Sequence, residues 1–125
     1  MILDTNALSA LIDGDETLAA RLTEVQFPAI TVITLGEYRY GIRGVRSRAA
    51  YEAWLDEHLP EFELLPVEEK TARAYADLKQ ELRFLGRPIP ENDIWISALA
   101  RQHRLTVLTR DRHFSFVPNL DVKSW

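Results

Sequence analysis

MILDTN, residues 1–6, is the stretch that decides the fold, because three apolar residues lead directly to a carboxylate. The apolar start predicts a short buried strand, and Asp4 marks its end. Asp and Asn commonly form turns and helix N-caps, which is one explanation of Asp4. The other explanation is that the strand directs a metal ligand into a cleft. The rest of the sequence has to distinguish these two interpretations.

The composition predicts one domain, over residues 1–125, that folds without crosslinks. The chain has 125 residues, 46% of them hydrophobic, and no cysteine, which excludes a disulfide scaffold, a cysteine zinc site and a thiol nucleophile. No signal-peptide pattern and no apolar run of about 18 residues is found, so we expect a cytoplasmic protein with no membrane partner. A net charge of −4 argues against a nucleic-acid partner. That argument weakens if several acids hold metal ions.

Strand patterns alternate with helix patterns along the chain. β-Branched and apolar runs predict the strands, and apolar residues at helical spacing predict the helices between them. The predicted strands are MILDT, PAITVIT, FELLPV, LTVLT and a fifth near Val122. The first predicted helix is capped by Asn6 and reaches Ile12, and the third begins at Thr34. The other predicted helices cover 18–25, 48–59, 68–85 and 93–103, and Gly86 is the expected stop of the helix over 68–85. This alternation predicts a three-layer α/β/α sandwich with a mainly parallel sheet of four to five strands.

Four acidic residues fall at junctions between these elements: Asp4, Glu37, Asp93 and Asp111. Each has a local explanation, such as a capping box with Thr34 as N-cap and Glu37 as the third helical residue. In a parallel sheet, however, the carboxyl ends of the strands share one edge, so we expect the four acids to converge. Converging carboxylates repel one another, and they are tolerated when they hold Mg²⁺ or Mn²⁺, which favour oxygen ligands.

Short polar residues stand one or two positions from three of these acids. Asn6, Asn92 and Thr109 can orient the carboxylates and metal-bound water through hydrogen bonds. Asn6 and Asn92 can equally be helix caps, and Thr109 can be a β-former at a strand end. The residues themselves leave both interpretations open.

Three stretches together resemble the PIN-domain ribonucleases, in particular the VapC-type toxins of toxin–antitoxin pairs. These stretches are MILDTNALSALI at the start, TVITLGEYRYGI around Glu37, and PENDIWISALARQHRLTVLTRDRHF across Asp93 and Asp111. They occur in the order typical of the family and span nearly the whole chain. Asp4, Glu37, Asp93 and Asp111 match the four acidic positions of the family, of which the fourth varies most.

The resemblance implies an endoribonuclease toxin that depends on Mg²⁺ or Mn²⁺. The four acids would be its catalytic residues and metal ligands, and a metal-activated water would hydrolyse RNA phosphodiester bonds. The resemblance further implies a homodimer and inhibition by a small cognate antitoxin. Thr5, Asn6 and Thr109 match polar positions beside the acids.

A run of arginines follows Glu37 in GEYRYGIRGVRSR. Arg39, Arg43 and Arg46 can bind RNA phosphates or the antitoxin, since Arg grips phosphate with two hydrogen bonds. The alternative is a solvated helix face, or pairing with Glu52 and Asp56. The nearby aromatic residues favour a homodimer, since they exceed what one small domain readily buries. These residues are Tyr38, Tyr40, Tyr51 and Trp54.

Other protein classes also place acids above a parallel sheet. A Mg²⁺-dependent phosphatase with an aspartyl nucleophile usually repeats Asp two residues later, where this chain has Asn6. A phospho-accepting receiver domain usually has Lys after a late strand, where this chain has Arg110. A non-catalytic binding domain would not need the complete set of acids. These three classes remain the alternatives to a nuclease.

Overall fold

The computed structural model describes residues 1–125 and consists of five short strands and six α-helices. The strands are β1 (Ile2–Leu3), β2 (Ala29–Thr31), β3 (Glu63–Leu65), β4 (Val107–Leu108) and β5 (Val122–Lys123). The helices are α1 (Thr5–Ile12), α2 (Glu16–Leu22), α3 (Val32–Gly41), α4 (Arg48–His58), α5 (Glu69–Phe84) and α6 (Glu91–His103). Two short 3₁₀ helices cover Leu59–Glu61 and Arg112–Phe116. None of these helices combines the length and the apolar character that a membrane-spanning segment needs.

The five strands form one parallel sheet in the order β3-β2-β1-β4-β5. Successive residues of a strand point to opposite faces, so Leu3 and Leu108 pack against α1 to α4, whereas Ile2 and Val107 pack against α6. Helix α5 then packs on α6 through a third cluster of apolar residues. The predicted α/β sandwich with a parallel sheet is therefore confirmed.

Two helix starts differ from the prediction because other side chains cap them. Asp4, not Asn6, caps α1, and its Oδ1 accepts the N–H of Ala7 at 2.7 Å. Helix α3 begins at Val32, not Thr34, because Thr31 Oγ1 accepts the N–H of Thr34 at 2.9 Å. Glu37 therefore lies in the second turn of α3, and the predicted capping box does not form.

Helix α6 also begins earlier than predicted, and its N-cap is Pro90. Asn92 is thus the second residue of the helix and not its cap, while Asp93 is the third. A carboxylate in this first turn interacts favourably with the positive end of the helix dipole. The early start leaves the side chain of Asn92 free to reach residues outside α6.

The buried face of α5 carries Thr71, Leu78 and Leu82. Leu85, predicted to be the last residue of this helix, is its C-cap and is half exposed. The polar Thr71 can be buried because its hydroxyl donates to Gln102 Oε1 at 2.7 Å and accepts the N–H of Glu68. Gly86 follows the helix with φ +63°, a left-handed conformation that glycine tolerates, and so confirms the predicted stop.

Candidate metal centre

The carboxyl edge of the sheet brings the four predicted acids together. Asp4 follows β1, Asp111 follows β4 after two residues, and Glu37 and Asp93 project from α3 and α6. The negative charges of Glu37 and Asp111 both raise the pKa values of Asp4 and Asp93, which shows that the four groups share one electrostatic environment. No lysine or arginine side chain forms an ion pair with any of the four.

Asp4 is the most deeply buried of these acids, with 3% of its surface exposed. Burial raises its pKa, and the charges of Asp111 and Glu37 add to the effect. Two hydrogen bonds act in the opposite direction: the hydroxyl of Thr109 donates to Oδ2, and the N–H of Ala7 donates to Oδ1. The carboxylate is therefore held in one orientation at the end of β1.

Asp93 lies at the start of α6, with 15% of its side chain exposed. Burial is the main cause that raises its pKa to about 6, and the charge of Asp111 is the next. His113 opposes the rise, but it does not cancel it. An isolated Asp in water loses its proton near pH 4. In the protein without bound ions, Asp93 therefore loses its proton at a higher pH than an isolated Asp does.

The neighbouring polar residues tie the acids to one another. Thr109 donates to Asp4 and accepts the N–H of Asp111 at 2.8 Å. Thr5 Oγ1 donates to Glu37 Oε1 at 2.8 Å, and Asn92 Nδ2 donates to the other oxygen of Glu37 at 3.1 Å. Each of these three residues thus donates to a carboxylate of the cluster other than the one beside it in sequence.

Asn6 is the exception among the predicted polar residues. Its side chain is exposed and makes no hydrogen bond, although it lines a cavity of about 320 Å³ next to Glu37. Tyr38 and Tyr51 also line that cavity. Of the four predicted acids, Glu37 alone lines this cavity.

His113 is a member of the cluster that the sequence analysis did not assign to the site. Its Nδ1 lies 2.9 Å from Asp111 Oδ1 and 3.6 Å from Asp93 Oδ2. The sequence contained one signal, the spacing Asp111-Arg112-His113 directly after a strand. The short 3₁₀ helix Arg112–Phe116 folds the histidine back toward the acids.

The arginines that follow Glu37 make no contact with the acid cluster. Arg39 pairs with Glu52 through a hydrogen-bonded ion pair, and its other nitrogen lies 3.8 Å from Asp56. Arg43 and Arg46 are exposed and form no ion pair. The structure thus separates one paired arginine from two that are free to meet a partner.

The donor set of the cluster fits a hard divalent cation. Four carboxylates influence one another's ionisation, and Asp4 and Asp93 have raised pKa values, but Asp4 and Glu37 lie outside the group whose ligand atoms are mutually close. No basic side chain other than His113 pairs with the acids. Oxygen ligands of this kind suit Mg²⁺ and Mn²⁺, and a bound cation would offset both the burial and the mutual repulsion that raise the pKa values. The ligand atoms of Asp93, Asp111 and His113 lie within 4.8 Å of one another.

Known proteins share this chain's sequence and fold. The PIN domain matches residues 1–120. Ribonuclease VapC5 of Mycobacterium tuberculosis is 36% identical over 120 residues, 91% of this chain and 84% of that protein. Toxin FitB of Neisseria gonorrhoeae is 30% identical over 132 residues, 98% of this chain and 95% of that one.

The crystal structure of VapBC2 from Rickettsia felis, bound to a DNA fragment from their promoter, contains a similar chain. That chain superposes on this one with a TM-score of 0.91 at 26% sequence identity, and the match covers 99% of this chain and 97% of that chain. The chain belongs to the PIN-domain family and, within it, to the VapC-type ribonuclease toxins.

Proposed function

We propose that this chain, a single nuclease domain over residues 1–125, is an endoribonuclease that hydrolyses RNA phosphodiester bonds with Mg²⁺ or Mn²⁺. Asp4, Glu37, Asp93 and Asp111 would hold the cation and act as the catalytic residues. The observation that carries the proposal is the convergence of these acids at one edge of the sheet, where burial raises the pKa of Asp93 to about 6. Such an unpaired cluster is costly without a cation.

A bound divalent ion supplies two things to phosphodiester hydrolysis, a water with a lowered pKa and neutralisation of charge on the phosphate. The protein's own contribution is orientation. Thr109 fixes the buried carboxylate of Asp4, while Thr5 and Asn92 hold the two oxygens of Glu37. Ligands that are held in place in advance do not have to be reordered when the substrate binds.

The raised pKa of Asp93 makes cation binding dependent on pH. A metal ion has to displace the proton from a carboxyl group before that group can coordinate it. Because the pKa of Asp93 is about 6 in the ion-free protein, affinity for the cation should increase as the pH rises through 6. Above that pH the carboxylate is already ionised, and the dependence should level off.

The partners of the chain are a further part of the proposal. Another similar solved structure is a toxin–antitoxin complex from Klebsiella pneumoniae, which supports a small cognate antitoxin as the partner of this chain. A homodimer is also proposed, although the aromatic residues support it less than the sequence suggested. Tyr38 is buried within its own chain, and among the four aromatic residues only Tyr40 is largely exposed, at 79%. Light scattering at high micromolar concentration decides between monomer and dimer.

The geometry disfavours the phosphatase and the receiver domain. Asn6 stands two residues after Asp4, where a phosphatase would have its second aspartate. Its side chain is exposed and forms no hydrogen bond with Asp4. The guanidinium of Arg110 lies 4.2 Å from the centre of the Trp125 ring and donates to the Trp125 carbonyl oxygen. The contacts of Arg110 are thus with Trp125 and Asp15, and none of them is with Asp4.

The test compares metal binding and RNA cleavage in the same samples. Tag-free protein is freed of ions with a chelator, and Mn²⁺ binding is measured by calorimetry before cleavage of a labelled RNA is followed. We expect the wild type to bind Mn²⁺ and to cleave RNA only when Mn²⁺ or Mg²⁺ is present, while Asp93→Asn loses both properties. Asp77→Asn, which alters an exposed acid on α5, is the matched control. Cleavage that persists in the chelated wild type would refute metal dependence.

A further inference from the structure

His113 stands out within the acid cluster because its ring nitrogen has no hydrogen-bond partner. The Nδ1 atom is buried, and none of its contacts has the geometry of a hydrogen bond. It nevertheless lies 2.9 Å from Asp111 Oδ1 and 3.6 Å from Asp93 Oδ2. A buried imidazole nitrogen that approaches two carboxylates without donating to either is in the position of a ligand that faces the same ion.

The local structure holds the ring in this position. Asp111 Oδ1 accepts the backbone N–H of His113 at 2.9 Å, which turns the chain into the short 3₁₀ helix. The next residue, Phe114, is 1% exposed and anchors that helix in the core. On the outer side, the ring of Phe116 meets the imidazole edge to face, with 6.4 Å between the ring centres. The orientation of His113 is therefore part of the fold.

The spacing of the three side chains suits one cation. The ligand atoms of Asp93, Asp111 and His113 all lie within 4.8 Å of one another. Ligands at about 2.0–2.3 Å from one ion can be separated by up to roughly twice that distance. One ion can therefore contact all three side chains after small side-chain adjustments.

We propose that His113 Nδ1 is a nitrogen ligand of the cation, and that it makes this site prefer Mn²⁺ to Mg²⁺. This inference rests on the metal centre proposed above and goes beyond the acidic residues that define it. Mg²⁺ binds oxygen ligands almost exclusively and gives up its coordinated water reluctantly, whereas imidazole is a good ligand for transition metals. A centre built from carboxylates alone would lack this selectivity.

A competing role for His113 is an ion pair with Asp93 and Asp111. In that case the imidazolium would reduce carboxylate repulsion in the ion-free protein, and it would compete with the cation. The two roles predict opposite effects of removing the imidazole. Loss of a ligand weakens Mn²⁺ binding, whereas loss of a competing positive charge strengthens the binding of Mn²⁺ and Mg²⁺ alike.

The experiment uses the full chain without an affinity tag, so that His58, His103 and His113 are its only histidines. Mn²⁺ and Mg²⁺ affinities are measured by calorimetry at pH 7.5 for the wild type, His113→Gln and the control His103→Gln. His103 is exposed at the end of α6. Pulsed electron paramagnetic resonance of the Mn²⁺-loaded samples detects the ¹⁴N coupling of a coordinated imidazole.

We expect ¹⁴N coupling in the wild type and in His103→Gln and none in His113→Gln. The Mn²⁺ affinity of His113→Gln should fall by at least about tenfold while its Mg²⁺ affinity stays within about twofold. Mn²⁺ binding without ¹⁴N coupling in the wild type would overturn the nitrogen ligand and leave the carboxylate centre intact. Tighter binding of both ions by His113→Gln would also overturn it, in favour of the ion pair. A wild type that binds no Mn²⁺ would refute the metal centre itself, and the nitrogen ligand with it.

Discussion

Asp4 and Asp15 cap two consecutive helices in the same way, yet their surroundings give them opposite properties. Each accepts the backbone N–H of the third residue after it, Ala7 at 2.7 Å and Leu18 at 3.0 Å. The remaining oxygen of Asp4 is buried, accepts from Thr109 and lies among other acids. The remaining oxygen of Asp15 accepts the indole N–H of Trp125 at 2.9 Å and lies 3.9 Å from Arg110.

The pKa values of the two carboxyl groups follow from these surroundings. Burial and the neighbouring charges raise the pKa of Asp4. Hydrogen bonds from the Leu18 amide and the Trp125 indole, together with Arg110, lower the pKa of Asp15. A capping role therefore does not exclude a second role, because each oxygen of a carboxylate has its own environment. For Asp4, the two explanations that the sequence left open are compatible.

The largest expected effect is on catalysis. Asn is as good an N-cap as Asp, so Asp4→Asn and Asp15→Asn both keep a cap and remove a charge. We expect Asp4→Asn to lower metal-dependent RNA cleavage by at least about 100-fold, the loss typical of a ligand that stabilises the transition state through a metal. Asp15→Asn should retain most of the activity.

Circular dichroism establishes that both Asn variants are folded before cleavage rates are compared. Full activity in a folded Asp4→Asn variant would remove Asp4 from the metal centre. Equal losses in the two variants would mean that helix capping, not ligation, explains the effect. Either result would break the contrast between Asp4 and Asp15.

In α3, helix capping and the proposed metal ligation are carried out by two different residues, Thr31 and Glu37. Thr31 caps this helix, so Glu37→Gln should lower cleavage by at least about tenfold without a loss of stability. Thr31→Ala should do the reverse and cost about 1 kcal/mol of unfolding free energy. Cleavage assays and urea denaturation of both variants test this. A destabilised Glu37→Gln with normal cleavage would restore the capping explanation for Glu37.

The pH dependence of stability should have opposite signs for the raised and the lowered pKa values. Asp93 has a pKa of about 6 in the folded, ion-free protein, above its unfolded value. Its stabilising contribution is therefore complete below the unfolded pKa and is lost as pH rises through 6. Asp93→Asn should stabilise the chelated protein by up to about 3 kcal/mol at pH 7, and the gain should vanish below about pH 4.

Asp15 should behave in the opposite way, since its folded pKa lies below the unfolded value. Its contribution is present above the unfolded pKa and is lost as pH falls through the folded pKa. Asp15→Asn should therefore lower the melting temperature at pH 7 and have little effect at pH 2. Melting curves of both variants across this range, in the presence of a chelator, test the signs. The same sign for the two variants would contradict the electrostatic difference described here.

The smallest expected effect is on RNA binding by the arginines after Glu37. One of them forms an ion pair within the chain, and two do not. Arg39 is engaged by Glu52, whereas Arg43 and Arg46 have no partner. If the free arginines bind RNA phosphates, the double variant Arg43→Ala/Arg46→Ala should lower the slope of log affinity against log salt by about 0.7 per lost contact. Arg39→Ala should leave that slope unchanged and reduce stability.

Filter binding of RNA at several salt concentrations gives the slopes for wild type and variants. An unchanged slope in the double variant would show that Arg43 and Arg46 do not bind RNA, and inhibition by the antitoxin would then test the other predicted role. A reduced slope in Arg39→Ala would mean that its pairing with Glu52 opens when RNA binds.

Local pattern determined much of this protein. The alternation of strand and helix patterns is encoded within a few residues, and so are the stop at Gly86 and the placement of Asp4 and Asp111 after strands. Parallel strands share their carboxyl edge, so these local features were enough to predict that the acids converge. What the pattern does not contain is the partner of each side chain.

Only the tertiary structure decided features that depend on residues distant in sequence. Thr71 could be buried in α5 because Gln102, 31 residues away, accepts its hydroxyl. Asp4 and Thr109 are hydrogen-bonded across 105 residues, and Asp15 and Trp125 across 110. His113 was placed beside Asp93 by the turn after β4 and the packing of α6. The pKa of a carboxyl group depends on burial and on nearby charges, and for Asp4 and Asp15 both are set by the packing of the whole chain.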